Sequence, residues 1–107
     1  MKESRDKFGF TEFEKSEMDK VFEKFPDVEK VILFGSRAMG NFKPFSDVDV
    51  VLVYLKDDYH IVSSVKYELE EETQLPYFFD VLDLKTITSE ELKEHIEREG
   101  VEIWKRR

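Results

Sequence analysis

The chain has 107 residues, enough for one hydrophobic core and too few for two. Hydrophobic residues make up 40% and charged residues 39%, the balance of a folded globule rather than of a disordered segment. Seventeen basic residues against 25 acidic ones leave a net charge of −8, which argues against non-specific binding to a nucleic-acid backbone. The absence of cysteine excludes disulfides and thiolate metal sites. The opening "MKESRDKFGF" has no apolar signal core, and no run approaches the ~18 apolar residues of a membrane span, so the cytoplasm is the expected location.

Residues 1–10 are polar and are expected to form a flexible lead-in to a single domain over 1–107. "TEFEKSEMDKVFEKFP" then predicts a helix. Thr11 and Glu14 have capping-box spacing, Met18, Val21, Phe22 and Phe25 share one face, and Pro26 ends it. "VEKVILFG" predicts a strand closed by Gly35. "SRAMG" allows about one helical turn, with Ser36 as N-cap and Gly40 as the stop, before a loop around Pro44. "DVDVVLVYL" is the strongest strand signal in the chain. "HIVSSVKYELEEETQ" follows as a helix with Ile61, Val65 and Leu69 inward, and its "ELEEETQ" end reads as a solvated face. "YFFDVLDL" predicts a third strand. "TSEELKEHIEREG" predicts a last helix with a capping box at Thr88 and Glu91, and "VEIW" a short final strand before the basic "KRR". The alternation indicates an α/β domain, helices packed on one sheet.

The chemistry concentrates between residues 33 and 53, "LFGSRAMGNFKPFSDVDVVLV". Strand side chains alternate, so Asp47 and Asp49 face the same way, about 6.8 Å apart along the backbone. Two carboxylates at ~4 Å repel by ~4 kcal/mol at an effective dielectric of ~20. A divalent cation removes that repulsion, and Mg²⁺ characteristically takes a few carboxylate oxygens together with waters and substrate phosphates. An isolated pair of this kind also reads as two solvated residues at a strand end. Gly35 lets the backbone turn sharply, and Ser36 can start a short helix whose free N–H groups and hydroxyl face a phosphate. A phosphate cradle beside a Mg²⁺ site is what a nucleoside triphosphate requires. A third carboxylate is expected from a neighbouring strand. Asp80 and Asp83 are three apart and face opposite ways, and Asp80 shares its side with Phe78, Leu82 and Leu84. Burying a lone carboxylate among them would be costly unless it reached a metal. Asp80 is therefore the candidate, and Asp83 reads as a solvent-facing strand residue.

Gly35-Ser36, ten residues, then Asp47-x-Asp49, followed by "FDVLDL" and the ending "EREGVEIW", resembles the minimal nucleotidyltransferases (MNT) of the DNA polymerase beta-like superfamily. The likeness runs from Val28 to near the end of the chain. It implies a mixed sheet of three to four strands flanked by about four helices, a Mg²⁺–nucleotide site, and transfer of a nucleoside monophosphate. Small members are typically MntA-like antitoxins paired with an all-helical HEPN toxin, and some adenylylate a tyrosine of that toxin. On this resemblance Asp47, Asp49 and Asp80 are the catalytic and metal-binding residues of a two-metal site, with ATP as substrate and Asp80 as a proton acceptor.

Arg37 and Lys43 flank the cradle and are candidate nucleotide-binding residues, with ordinary solvated charge as the alternative. Phe42 and Phe45 lie on the loop between cradle and acids, placed to stack on a base, meet a partner or fold back on the core. Ten phenylalanines are many for this length, and an exposed group of them would mark an interface. His60 and His95 have no ligand spacing and no assigned role. Three functions compete. The first is an adenylylating transferase acting on a hydroxyl of a partner protein. The second is a non-catalytic nucleotide-binding antitoxin acting by occlusion. The third is the nucleotide-binding subunit of a two-subunit transferase acting on a small molecule or RNA, for which a local basic groove of Arg37, Lys43 or the "KRR" tail would be needed.

Overall fold

A computed structural model describes residues 4–56, 58 and 60–107. Four strands form one sheet: β1 (Val28–Phe34), β2 (Val48–Tyr54), β3 (Phe79–Asp83) and β4 (Val101–Lys105), in the order β3-β2-β1-β4. β1 runs antiparallel to both β2 and β4, while β2 and β3 are parallel. The sheet is mixed, as expected. Parallel strands need a crossover, and α3 (Ile61–Glu71) supplies it between β2 and β3. The remaining helices are α1 (Glu12–Glu23), the short α2 (Gly35–Met39) and α4 (Glu90–Glu99), with one 3-10 turn over Leu84–Thr86. Among the described residues no helix is long and apolar enough to cross a membrane.

Alternation along the strands divides the core in two. On one face Val31, Leu33, Val48, Val50, Leu52, Phe79 and Val81 pack under α1 and α3, which contribute Met18, Val21, Phe22, Ile61, Val65 and Leu69. On the other face Ile32, Phe34, Val51 and Leu82 meet Ile96 and Leu92 of α4. Val48, Val50, Val51 and Leu52 are all fully buried, which explains the near-continuous apolar run of β2. Each such side chain stabilises the fold by roughly 1.5–3 kcal/mol.

Local signals decide most boundaries. Thr11 and Glu14 form the expected capping box, the Thr11 hydroxyl accepting from the Glu14 amide and the Glu14 carboxylate accepting from the Thr11 amide. Three positions differ from expectation. Segment 5–10 packs onto the domain instead of trailing free: Phe10 is buried, and the Asp6 carboxylate accepts from the amides of Phe8 and Phe10. The first three residues of the lead-in lie outside the described residues. Ser36 does not cap α2. The helix begins two residues earlier, at Gly35, because a positive φ of 75° there turns the strand directly into the helix, and Phe34 occupies the cap position. Gly40 ends α2 in the left-handed region with φ 84°, as expected. At α4 the cap is Ser89 rather than Thr88; its hydroxyl accepts from the Leu92 amide.

The cap assignment makes a paired prediction. Ser89→Ala should cost about 1 kcal/mol in urea unfolding at unchanged m, whereas Thr88→Ala should stay within about 0.5 kcal/mol of the parent. Equal losses for the two variants would show that the cap is misassigned.

Candidate active site

The end of β1 and the starts of β2 and β3 meet at one end of the sheet. In the parallel pair Asp49 stands opposite Asp80, and Val51 opposite Leu82. In the antiparallel pair Phe34 stands opposite Asp49. Since side chains on opposed positions share a face, an apolar rung (Val51, Leu82) is followed outward by an acidic rung (Asp49, Asp80). Asp47 and Phe78 come next on the same face, the Val48 amide donating to the Phe78 carbonyl just beyond the last paired residues. The helix α4 covers the apolar rung, and Asp47 and Asp80 are solvent-exposed.

This register brings Asp80 to the side of Asp49, but not into an apolar enclosure. Asp80 is exposed and so is Phe78, because both lie at the open end of the sheet. The expected company of Phe78 and Leu82 is correct in parity, but the burial cost inferred from it is not. Asp83 faces the opposite side, as parity requires, yet it is not simply solvated: its carboxylate accepts from the Tyr54 hydroxyl and the Lys85 amide.

Asp49 is half-buried, and its pKa is raised above the ordinary carboxylate value. Burial is the main cause, followed by the negative charges of Asp80 and Asp47, with the positive charge of Arg37 opposing. Among the described residues none of the three carboxylates is in an ion pair or accepts a hydrogen bond. In the present side-chain arrangement no three of the described acidic or histidine residues are gathered tightly enough to hold one ion. The donor set, all carboxylate oxygen at an open end of the sheet and without protein partners, nonetheless fits the chemistry of a hard divalent cation.

The α2 turn is built against these acids. Gly35 lies so close to Asp49 that a β-carbon added at residue 35 would collide with the Asp49 carboxylate oxygen and sit 3.2 Å from its carboxylate carbon. Glycine is thus required twice, by its positive φ and by the approach of Asp49. Ser36 is half-buried beside it, and Lys43 is exposed on the following loop.

Arg37 takes a different place from the one expected. It is 1% exposed, and its guanidinium donates to the carbonyls of Phe8, Pro44 and Ser46. Burial lowers its pKa below the usual guanidinium value. With its N–H groups committed to backbone carbonyls, it is not free to grip a triphosphate. Arg106 of the "KRR" tail is likewise occupied, donating to the carbonyls of Val28, Phe22 and Phe25. The basic groove considered for RNA therefore loses two of its arginines. Phe42 stacks on the Arg37 guanidinium, while Phe45 and Phe78, each two residues before one of the acids in sequence, are 82% and 74% exposed. His95 packs edge-on against Phe34.

Two positioning groups were not expected. Glu70 belongs to the stretch read as solvated, yet its carboxylate accepts from the Phe79 amide, and Lys66 donates to the Phe79 carbonyl. Together they grip the residue immediately before Asp80. Their spacing of four on one helix was visible, but nothing local showed that the pair reaches β3.

Residues 16–107 match the protein family described as polymerase beta, nucleotidyltransferase. Among solved structures, the chain is similar to a toxin–antitoxin complex with AMP-PNP, at 21% identity and TM-score 0.70 over 87% of this chain and 74% of that one. It resembles a proposed nucleotidyltransferase from Sulfolobus solfataricus at 28% identity and TM-score 0.56, over 86% and 77%. A third similar structure is the toxin–antitoxin MntA–HepT, at 18% identity and TM-score 0.65 over 90% and 74%. No curated protein matches.

Two measurements check the geometry. Gly35→Ala should destabilise by at least ~1–3 kcal/mol from backbone strain alone, and combining it with Asp49→Ala should recover the part due to the collision, as a non-additive double-mutant cycle. Strict additivity would show that the two residues do not touch. For Asp49, a raised folded-state pKa means that the unfolded carboxyl ionises first as pH rises, so stability falls through that window. Asp49→Asn should therefore melt higher than the parent at pH 7, with the difference closing near pH 3, where both side chains are neutral.

Proposed function

The chain belongs to the polymerase beta nucleotidyltransferase family, and from that membership we propose that it is a Mg²⁺-dependent transferase that moves AMP from ATP to a hydroxyl of a partner protein. The proposed partner is the helical HEPN toxin of a HEPN–MNT pair, which this chain would neutralise as antitoxin. The observation that carries the reading is the acidic rung: Asp49 opposite Asp80 in parallel register, with Asp47 on the same face and no protein cation paired to any of the three among the described residues.

Divalent ions held by Asp47, Asp49 and Asp80 would supply neutralisation of the triphosphate and acidification of the attacking hydroxyl. Asp49, half-buried and pressed against Gly35, is the fixed member of the set. Asp80, exposed on an edge strand, is open to an acceptor arriving from solvent and takes the hydroxyl proton. Gly35 and Ser36 lie beside Asp49 where the phosphates must pass, the glycine allowing close approach and the Ser36 hydroxyl adding a donor. Lys43 is an exposed point charge for the departing pyrophosphate. The acceptor oxygen bonds to the α-phosphorus as the bond to pyrophosphate breaks, and no covalent enzyme intermediate is needed. That similarly folded structures are toxin–antitoxin complexes is consistent with a protein partner for this chain.

One feature favours a second reading, neutralisation by stoichiometric occlusion: Phe45 and Phe78, each two residues before one of the acids in sequence, expose large aromatic surface, which suits docking whether or not chemistry follows. The two readings separate in one experiment. The protein and the product of the adjacent reading frame, expected to be a small helical protein with an Arg-x(4–6)-His motif, are incubated with α-labelled ATP and Mg²⁺, and the intact partner is weighed by mass spectrometry. Transfer predicts nucleotide mass on the partner, lost together with protection in the Asp47→Asn, Asp49→Asn variant. Full protection by that variant would establish occlusion instead.

A further inference from the structure

Asp47 lies outside the sheet, one residue before β2, at the end of the loop 41–47. Its position depends on how that loop is held. The turn closes on itself: the Ser46 hydroxyl accepts from the Lys43 amide at 2.8 Å, and the Ser46 amide donates to the Lys43 carbonyl at 3.0 Å. Those bonds make the turn a unit without fixing it to the domain. Arg37 does the fixing. Its Nε and one terminal nitrogen both donate to the Ser46 carbonyl, at 3.1 and 2.9 Å, and the same terminal nitrogen reaches the Pro44 carbonyl at 3.2 Å. The other terminal nitrogen donates to the Phe8 carbonyl at 2.8 Å, in a segment 29 residues away. The guanidinium carbon lies 4.5, 4.9 and 5.1 Å from the ring centroids of Tyr77, Phe42 and Phe10.

A buried guanidinium is expensive, and no carboxylate pairs with this one among the described residues. Three carbonyls and three aromatic faces replace its hydration. Lysine at this position would present one point charge where a fork must span carbonyls from two separate segments. The segment on the far side is itself well anchored. Asp6 closes its turn, and Arg5 donates to Glu14 and Tyr77, the same tyrosine that stacks on Arg37.

We propose that Arg37 is a positioning residue that fastens the Asp47 loop to the N-terminal segment 5–10, making that segment a working support of the catalytic acids. Its bearing on catalysis rests on the transferase reading above; its hold on the loop does not. The loop cannot shift without breaking bonds at Ser46 and Pro44, and the N-terminal segment cannot peel away without releasing Phe8 and with it one arm of the guanidinium. A change at residue 6, far from the acids in sequence, therefore acts on Asp47.

The test uses the full chain and three variants, Arg37→Lys, Phe42→Leu and Asp6→Ala. Hydrogen exchange of the amides at 43–48 is compared with that of the β2 core at 50–53, and Mn²⁺ binding is read by electron paramagnetic resonance. The expected result is loop exchange faster by tenfold or more in Arg37→Lys and by several-fold in Asp6→Ala, with β2 core protection within threefold of the parent and weaker Mn²⁺ binding in both. In the transfer assay the half-saturating Mg²⁺ concentration should rise several-fold. Should Arg37→Lys not fold, Phe42→Leu, which keeps every guanidinium hydrogen bond and removes one ring, carries the test with a smaller loop effect. Loop and core exchange rising together, or a loop unchanged in Asp6→Ala, would overturn the proposal. If no variant and not even the parent transfers nucleotide while loop exchange responds as expected, the transferase reading fails and the clamp stands.

Discussion

The parallel register of β2 and β3 decides whether this molecule has a site at all. Side chains on a strand alternate, so a slip of one residue would send Asp80 to the face packed under α3 and put Val81 or Phe79 at the open end beside Asp49. The register is held from both faces. Val50 opposite Val81 is buried under the helices on one side, and Val51 opposite Leu82 meets α4 on the other. A slip would exchange apolar for acidic residues in two cores at once. Lys66 and Glu70 add a third restraint, holding both backbone groups of Phe79 from the crossover helix. The placement of the acids is thus enforced by apolar packing several ångströms away from them.

The same end of the sheet is where the fold gives up stability. Three carboxylates share one face without a protein counter-charge in hydrogen-bond reach among the described residues, Asp49 is partly removed from water, and a positive-φ glycine is pressed against it. Repulsion of this kind is tolerable only where the surrounding structure is rigid and where a ligand can relieve it. The two buried arginines are part of that rigidity. Each gathers carbonyls from separate segments: Arg37 ties the N-terminal segment to the Asp47 loop, and Arg106 ties the end of α1 to the start of β1.

What could be read in advance follows the range of the interactions involved. The Thr11–Glu14 box is complete within four residues, and the Gly35, Ser36, Asp47 and Asp49 pattern is linear, so both are visible in the chain itself. Parity shows that only one of Asp80 and Asp83 can share a face with Asp49; the register puts Asp80 there, although the burial cost that singled it out in the sequence is absent, since Asp80 and Phe78 are both exposed. Failures occur where distant or competing groups decide. Arg37 looks solvated in "SRAMG" because its partners include a carbonyl 29 residues upstream. Glu70 looks solvated because the amide it accepts from lies nine residues on, across a turn. Thr88 and Ser89 both offer a hydroxyl before the same helix, and no local rule chooses between neighbours that are equally suited.

β3 is an edge strand, and an edge normally invites a visiting chain to dock by extending the sheet. Here the outward N–H and C=O of Phe79 are already engaged by α3, so that invitation is withdrawn at the position adjoining Asp80. A visitor at that position must be recognised by what its side chains present, not by main-chain bonds to Phe79. Recognition of that kind tolerates little sequence drift at the point of contact, which ties the surface around Phe78 to the identity of whatever binds it.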